Sequence, residues 1–267
     1  MEECVTAETE SIVELSEWLA TDAGRYVLAW EQARYDEVVA DMFGYHALQL
    51  GLSEPDFLRN NRMPFKAYVG VVAPGAAALA SWDGCVLARP DALPFESQSV
   101  DLLVLPHVFE CTDAPHNVLR EVERVLMPEG RVVVTGFNPW SLWGAQSRMP
   151  GIDPLLPHPP SAQVSPARLK DWLKLLSFEV DQTLFGCYAP ACSTQKWLQR
   201  WDFMERAGAR WWPVCGAVYM VTAVKRVSGM RLLGPPWKKP AKAARGASAV
   251  VQREGRADIL NSLSKKK

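Results

Sequence analysis

The 267-residue chain has little of what marks the more recognisable chemistries. Its 4 histidines, His46, His107, His116 and His158, are scattered, and no HExxH or Cys/His ligand spacing occurs, so no metal site is expected. There is no GxSxG elbow and no Walker loop, which removes the common serine-hydrolase and P-loop chemistries. The 6 cysteines, at positions 4, 85, 111, 187, 192 and 215, form no CxxC pair and several lie in apolar runs. Reduced thiols in a cytoplasmic protein are therefore expected rather than a disulfide framework. No apolar run reaches membrane-spanning length and no basic-apolar-small signal opens the chain, so a soluble protein without a membrane span is expected. The net charge of −1 is small but conceals an asymmetry: residues 225–267 hold twelve Lys/Arg and two Asp/Glu, leaving 17 basic against 28 acidic residues in 1–224.

What the chain does have is a run of strong local signals from Asp91 to Pro139. A turn at Leu93-Pro94-Phe95-Glu96-Ser97 leads into the continuous apolar run Val100 to Leu105, which predicts a strand buried on both faces. A helix is expected next. Asp113 is placed to cap it, Pro115 lies in its first turn, and Val118, Val122, Val125 and Leu126 recur at helical spacing. Pro128-Glu129-Gly130 then stops the helix and turns the chain into the β-branched run Val132-Val133-Val134. Strand, helix and strand at this length form a right-handed crossover unit of a parallel sheet.

The identities within that unit carry more than its pattern. Asp91-Ala92 running into Leu93-Pro94-Phe95, Asp101 opening the strand, and Leu119-Arg120-Glu121-Val122, Arg124-Val125-Leu126, Pro128 and Gly130 in order resemble the type 11 group of class I S-adenosylmethionine (SAM)-dependent methyltransferases. The narrower resemblance is to a small bacterial branch with an irregular cofactor loop, over about residues 25 to 225. It implies a doubly wound α/β fold with a mostly parallel, seven-strand sheet. It also implies SAM as cofactor and methyl transfer to an acceptor the sequence does not name, a small molecule being expected. By the same resemblance Asp91 accepts a hydrogen bond from the adenine amino group, with Ala92 and Leu93 flanking the ring. Pro106, His107 and Val108 pass along the cofactor, and Gly51 faces its methionine portion. On the residues alone, Asp91 also fits a turn carboxylate and His107 a hydrogen-bonded loop histidine. Tyr45, His107 and Asn138 are candidates for contacts near the methyl. Asn138 with Trp140 and Trp143 either lines the substrate pocket or forms a packed tryptophan-rich loop.

The departure from the family lies upstream. Where the family has an acidic residue and then Gly-x-Gly-x-Gly, this chain has Gln49-Leu50-Gly51-Leu52-Ser53-Glu54-Pro55, with one glycine left. Taking Phe65 to Val72 and Cys85 to Ala88 as strands, the interval from Gly51 to Asp91 leaves room only for short turns or loops between them. The first half of the fold is expected to be contracted. Val71-Val72-Ala73-Pro74 stands where the family has a ribose-binding acid, and Asp83, just before the third strand, is a poor substitute.

The flanks complete the expected organisation: an acidic extension over 1–22, a methyltransferase-like domain over 23–226, and a basic disordered tail over 227–267. Ile12, Leu15, Trp18 and Leu19 predict an amphipathic helix lying on the body. A second helix is expected from about Gly24 to Met42, with Tyr26, Trp30, Ala33, Val38 and Phe43 on its apolar side and Gly44 closing it in the left-handed conformation. Arg148 to Pro160 is a Pro-rich connection of the kind that serves as lid or substrate wall. Ser165-Pro166 starts a helix carrying Leu169, Trp172, Leu173 and Leu176. Strands are expected from Phe178 to about Leu184 and over Ala217 to Ala223, with a helix at Trp197 to Phe203 and Trp211-Trp212-Pro213 as a packed shoulder. The resemblance implies that the last strand runs antiparallel. The tail's lysines would attract polyanions in a salt-dependent way, although a solubilising role fits its lack of stacking aromatics better. Two alternatives to the enzyme stay open: an inactive regulatory or scaffold module, and an RNA-associated protein that uses the basic tail.

Overall fold

The structure, a computed structural model, describes residues 2–149, 155–190 and 203–227, with side chains from Ala7 onward except at 203, 204, 206 and 209. Met1–Ser228 form one compact unit. The basic tail beyond Val227, residues 150–154 of the Pro-rich connection and the helix expected at 197–203, except Phe203, lie outside the described residues. Among those described, no helix is long and apolar enough to cross a membrane.

Seven strands, β1 (His46–Leu50), β2 (Phe65–Gly70), β3 (Gly84–Leu87), β4 (Val100–Pro106), β5 (Leu126–Phe137), β6 (Phe178–Gly186) and β7 (Val218–Lys225), form one sheet. Its order is β3-β2-β1-β4-β5-β7-β6. All neighbours are parallel except β7, which runs antiparallel to both β5 and β6. This is the doubly wound, mostly parallel sheet that the resemblance implies. The order reverses between β1 and β4, and in such sheets ligands bind outside the carboxyl ends of the strands at that point.

Alternation along β4 supplies two cores. Leu103 and Leu105 meet α4 (Pro115–Val125) and α6 (Pro166–Leu175) through Val118, Val122, Leu169 and Leu173. Leu102 and Val104 face the other way, toward Tyr35, Val39 and Phe57. Tyr35 and Val39 belong to α2 (Asp22–Ala40), which follows α1 (Glu2–Leu19) after a two-residue corner where the Thr21 hydroxyl accepts the Gly24 N–H at 3.1 Å.

The first half is contracted as expected. No helix separates β1 from β2, and α3 (Ala76–Leu79) is a single turn. In place of the missing helix, the loop after Gly51 hangs on Gln49, whose fully buried amide donates to the Leu52 and Pro55 carbonyls, both at 2.8 Å, and accepts the Phe57 N–H at 2.9 Å.

Several local expectations are corrected. Asp113 does not cap α4: Ala114 stands at the cap, and the Thr112 hydroxyl accepts the Ala114 N–H at 3.3 Å instead. Gly44 is not left-handed. It is required because a Cβ there would lie 2.4 Å from that of Asp101, whose carboxylate accepts the Tyr45 and His46 N–H groups. The buried stripe of α2 runs Ala23, Val27, Glu31, Tyr35, Val39, so Ala33 and Phe43, expected on its apolar side, face water. Trp211 and Trp212, expected as a packed shoulder, are exposed; α5 (Leu142–Gln146) and α7 (Phe203–Trp211) complete the helices described.

Candidate active site

At the reversal point β1 runs into Gly51, whose φ of +89° suits glycine far better than any L side chain. Its N–H donates to the Val69 carbonyl at 2.9 Å, and its own carbonyl faces the Tyr68 hydroxyl at 3.0 Å. The same hydroxyl lies 2.9 Å from the Val72 carbonyl, so one tyrosine pins the tips of β1 and β2 together. A Cβ at Gly51 would sit 3.0 Å from Val108 Cγ2. Gly51→Ala should therefore cost about 1–2 kcal/mol in denaturant unfolding, the scale of forcing an L residue into left-handed backbone. An unchanged midpoint would mean that the loop can adopt another path.

Beside Gly51, β4 delivers Pro106, His107 and Val108. His107 is fully buried and itself left-handed, with φ +53°. Its Nε2 meets Glu31 Oε1 at 2.8 Å, its Nδ1 lies 3.8 Å from Glu110 Oε1, and its ring packs on Phe137 with centroids 4.2 Å apart. Burial alone would depress the imidazole pKa, but the Glu31 and Glu110 carboxylates outweigh it and raise it to about 10. Glu110 Oε1 accepts the Phe137 N–H at 2.7 Å, joining the tips of β4 and β5. His107 is thus braced by two carboxylates, which favour its charged form.

Asp91 lies one turn beyond β3. Both its oxygens are taken by Arg89, each at 2.8 Å, and Arg89 also reaches Glu8 of α1 at 3.5 Å. The charged residues of the sequence motif explain why this turn is fixed. Glu121 Oε2 accepts the Leu93 N–H at 2.9 Å, while Arg124 donates to the Leu93 and Phe95 carbonyls, each at 2.8 Å, and pairs with Glu121 at 2.8 Å. Arg124 beside it holds the Glu121 carboxyl below its usual range.

Over these residues lies α1. Glu8, Ile12 and Leu15 close the hollow formed by Gly51, Leu52, Pro90, Pro106, His107 and Val108, and the space left is about 10 Å³. The sheet side of this hollow suits a nucleoside bearing a methionine chain, because a side chain at Gly51 would fill it. The α1 side does not suit it: no ligand of that size enters while the helix is docked. Trp18 anchors the far end of the helix, edge-on to Phe137 at 5.3 Å and donating to the Leu155 carbonyl at 2.6 Å.

A larger cavity of about 530 Å³ adjoins the hollow and shares Glu8, Cys111 and Thr112 with it. Asp113, His116, Gln163, Arg168 and Trp172 complete its polar wall. His116 and Trp172 have ring centroids 4.0 Å apart, and the Arg168 guanidinium lies 4.9 Å over Trp172. Cys111 Sγ stands 3.5 Å from His158 Nε2. Burial raises the thiol pKa and lowers that of the imidazole, so the pair is held neutral.

Of the residues singled out in the sequence, Gly51, Pro106, His107 and Val108 come together here. Asp91 stands at the rim on its arginine. Leu93 is in the core and Ala92 faces solvent. Tyr45 precedes β1, at the opposite edge of the sheet, and is 72% exposed, so it does not belong to this constellation. Asn138 is spent on the backbone: its amide donates to the Val214 and Gly216 carbonyls at 2.8 and 2.9 Å and accepts the Trp140 N–H at 3.1 Å, which ties β5 to the approach to β7. Trp143 is buried with its indole N–H on the Ala189 carbonyl, and Trp140 is exposed, so this is the packed loop rather than a pocket wall. Sequence reasoning missed Glu8, Glu31, Arg89 and Glu110. Glu31 alone had a signal, since it occupies the centre of the i, i+4 stripe of α2.

Comparisons with known proteins agree with the fold. Residues 72–134 match the Methyltransferase domain family. The uncharacterized protein YafS of Escherichia coli (strain K12) is 36% identical over 140 residues, covering 52% of this chain and 55% of that protein, so the chain spans about half the length of this curated relative. Among solved structures, the Haloferax volcanii complex between the Trm112 methyltransferase activator and the protein taken as its methyltransferase is 17% identical, covering 81% of this chain and 97% of that chain at a TM-score of 0.56. A SAM-dependent methyltransferase from Archaeoglobus fulgidus is 15% identical over 75% of this chain and 94% of its own, with a TM-score of 0.53. At such identities the structural likenesses establish the fold.

Proposed function

We propose, on the premise that the chain carries a methyltransferase domain of the type 11 group on a class I methyltransferase fold, that it moves a methyl group from SAM to a small polar acceptor. The observation that carries this is the match of residues 72–134 to the Methyltransferase domain family, because that stretch includes Asp91 and Pro106–Val108 at the reversal point of the sheet. SAM supplies the methyl on an electrophilic sulfonium. Gly51, Pro106 and Val108 would floor its site, Asp91 would accept from the adenine amine at the rim, and His107, between Pro106 and Val108, would hold that floor rigid. The acceptor would lie in the 530 Å³ cavity, a size suited to a small molecule, between Asp113, His116, Arg168 and Trp172. Alignment and exclusion of water are what such a transfer needs from the protein. The protein would act in the cytoplasm, in keeping with the free thiols of Cys85, Cys111, Cys187 and Cys215.

Calorimetry of the full chain with SAM and with S-adenosylhomocysteine tests the proposal. Binding heat and a rise in melting temperature are expected, and the absence of both up to millimolar ligand would remove it. Asp91→Ala should then weaken SAM by roughly 1–3 kcal/mol, the scale of a lost buried polar partner. Unchanged affinity would place the adenine elsewhere.

A further inference from the structure

We infer that α1 is a displaceable lid on the cofactor hollow, so that the conformation described is a closed state from which the helix must withdraw before a nucleoside ligand can enter. The inference rests on the proposed SAM reading and concerns the regulation of that site. Three observations carry it. The sheet side of the hollow keeps what a ligand would need, an unbranched, left-handed Gly51 facing Pro106–Val108, yet only about 10 Å³ remains beneath α1. The filling comes from one short sequence segment, Ile12 and Leu15 with Glu8, not from residues rooted in the sheet. That segment joins the body by the tight Ala20-Thr21 corner and is no part of the sheet, so its withdrawal would give up the Trp18–Phe137 contact and the Trp18–Leu155 hydrogen bond but no strand pairing.

The seal is also a compromised one. Among the described residues, Glu8 is carried into the hollow with a 3.5 Å contact to Arg89 and a 3.3 Å contact from the Thr112 hydroxyl, and its buried Oε2 meets no hydrogen-bond partner there. Asp91 and Asp113 add like charge around it, and burial raises the carboxyl pKa. A lid meant to stay shut would be better served by an apolar residue at this position, since a desolvated carboxylate favours release. The same Glu8 reaches the arginine that holds Asp91, so the helix and the Asp91 turn are linked through one guanidinium. A site that is competent only in the open fraction binds with an affinity reduced by that fraction.

The test is hydrogen–deuterium exchange on the full chain with and without S-adenosylhomocysteine, together with calorimetry on wild type and Leu15→Asp. Expected are loss of amide protection over residues 8–19 on ligand addition and at least tenfold tighter binding by the variant. Should Leu15→Asp fail to melt cooperatively, Ile12→Asp takes its place, and the exchange experiment needs no variant at all. If the ligand binds wild type while residues 8–19 stay equally protected and the variant gains nothing, the lid is wrong and the SAM site stands. If neither protein binds the ligand, the SAM reading falls and the lid with it.

Discussion

Glu31→Leu should destabilise the fold by about 3–5 kcal/mol at neutral pH, because it leaves the buried His107 cation without its nearest counter-charge. Both side chains are fully buried and meet at 2.8 Å. The loss should depend on pH in a defined direction. The folded-state pKa of His107 is raised to about 10 from an ordinary value of 6.5, so the pair's contribution is complete below that ordinary value and fades as pH climbs toward 10. Wild type and variant should therefore differ most near pH 6 and converge toward pH 10. Glu31→Gln, which keeps a hydrogen-bonding group, should fall between them. Melting temperatures measured every half unit from pH 6 to 10 decide the matter. A gap that stays constant across the range would mean that His107 is neutral and Glu31 is merely a packed side chain.

How far this was legible in the sequence follows from the range of the forces involved. The strand at Val100, the helix after Pro115 and the late strand at Ala217 announce themselves through local apolar patterning, which reports burial whether or not the partner is known; the antiparallel direction of the last came from the resemblance. The contraction between Gly51 and Asp91 was legible too, because it is a matter of counting residues. Pairings set by tertiary contact were not. Gly44 suggested a helix cap, yet its requirement comes from Asp101, far along the chain. Asp113 beside a proline has the composition of a cap, but the local path puts Ala114 at the cap position, where no side chain accepts from the first turn.

The site divides in the same way. The family motif points to Asp91 and to Pro106–Val108, and the structure adds the purpose of the motif's other charges: Glu121 and Arg124 hold the turn that carries Asp91. Asn138, between a strand end and Trp140 and Trp143, fits either a pocket wall or a packed tryptophan-rich loop on sequence alone. Three backbone groups consume it, an arrangement no sequence window contains. Above all, the packing of α1 onto the cofactor hollow was out of reach. An amphipathic helix declares that it will dock somewhere, and the stripe of Ile12, Leu15 and Leu19 is equally suited to any apolar surface.

Gln49→Leu is expected to lower stability by about 2–4 kcal/mol, since it strips partners from two carbonyls and one N–H in a loop that cannot rehydrate without opening. For a domain of this size that is a fall in melting temperature of roughly 5–15 °C. Gln49→Glu is the more telling change, as it restores the acidic residue that the resembled family carries at this place. It should not rescue anything. A carboxylate can still accept the Phe57 N–H, but it offers no donor to Leu52 and Pro55, and its oxygens would face their carbonyls. A protonated glutamic acid can donate to one of them. Its folded-state pKa should accordingly be raised, with stability present in acid and lost as pH rises through that value. Melting of Gln49→Glu should thus improve from pH 7 toward pH 4.5 relative to wild type. A variant as stable as wild type at neutral pH would show that the loop does not depend on this amide, and that the replacement of acid by glutamine in β1 is incidental to the contracted fold.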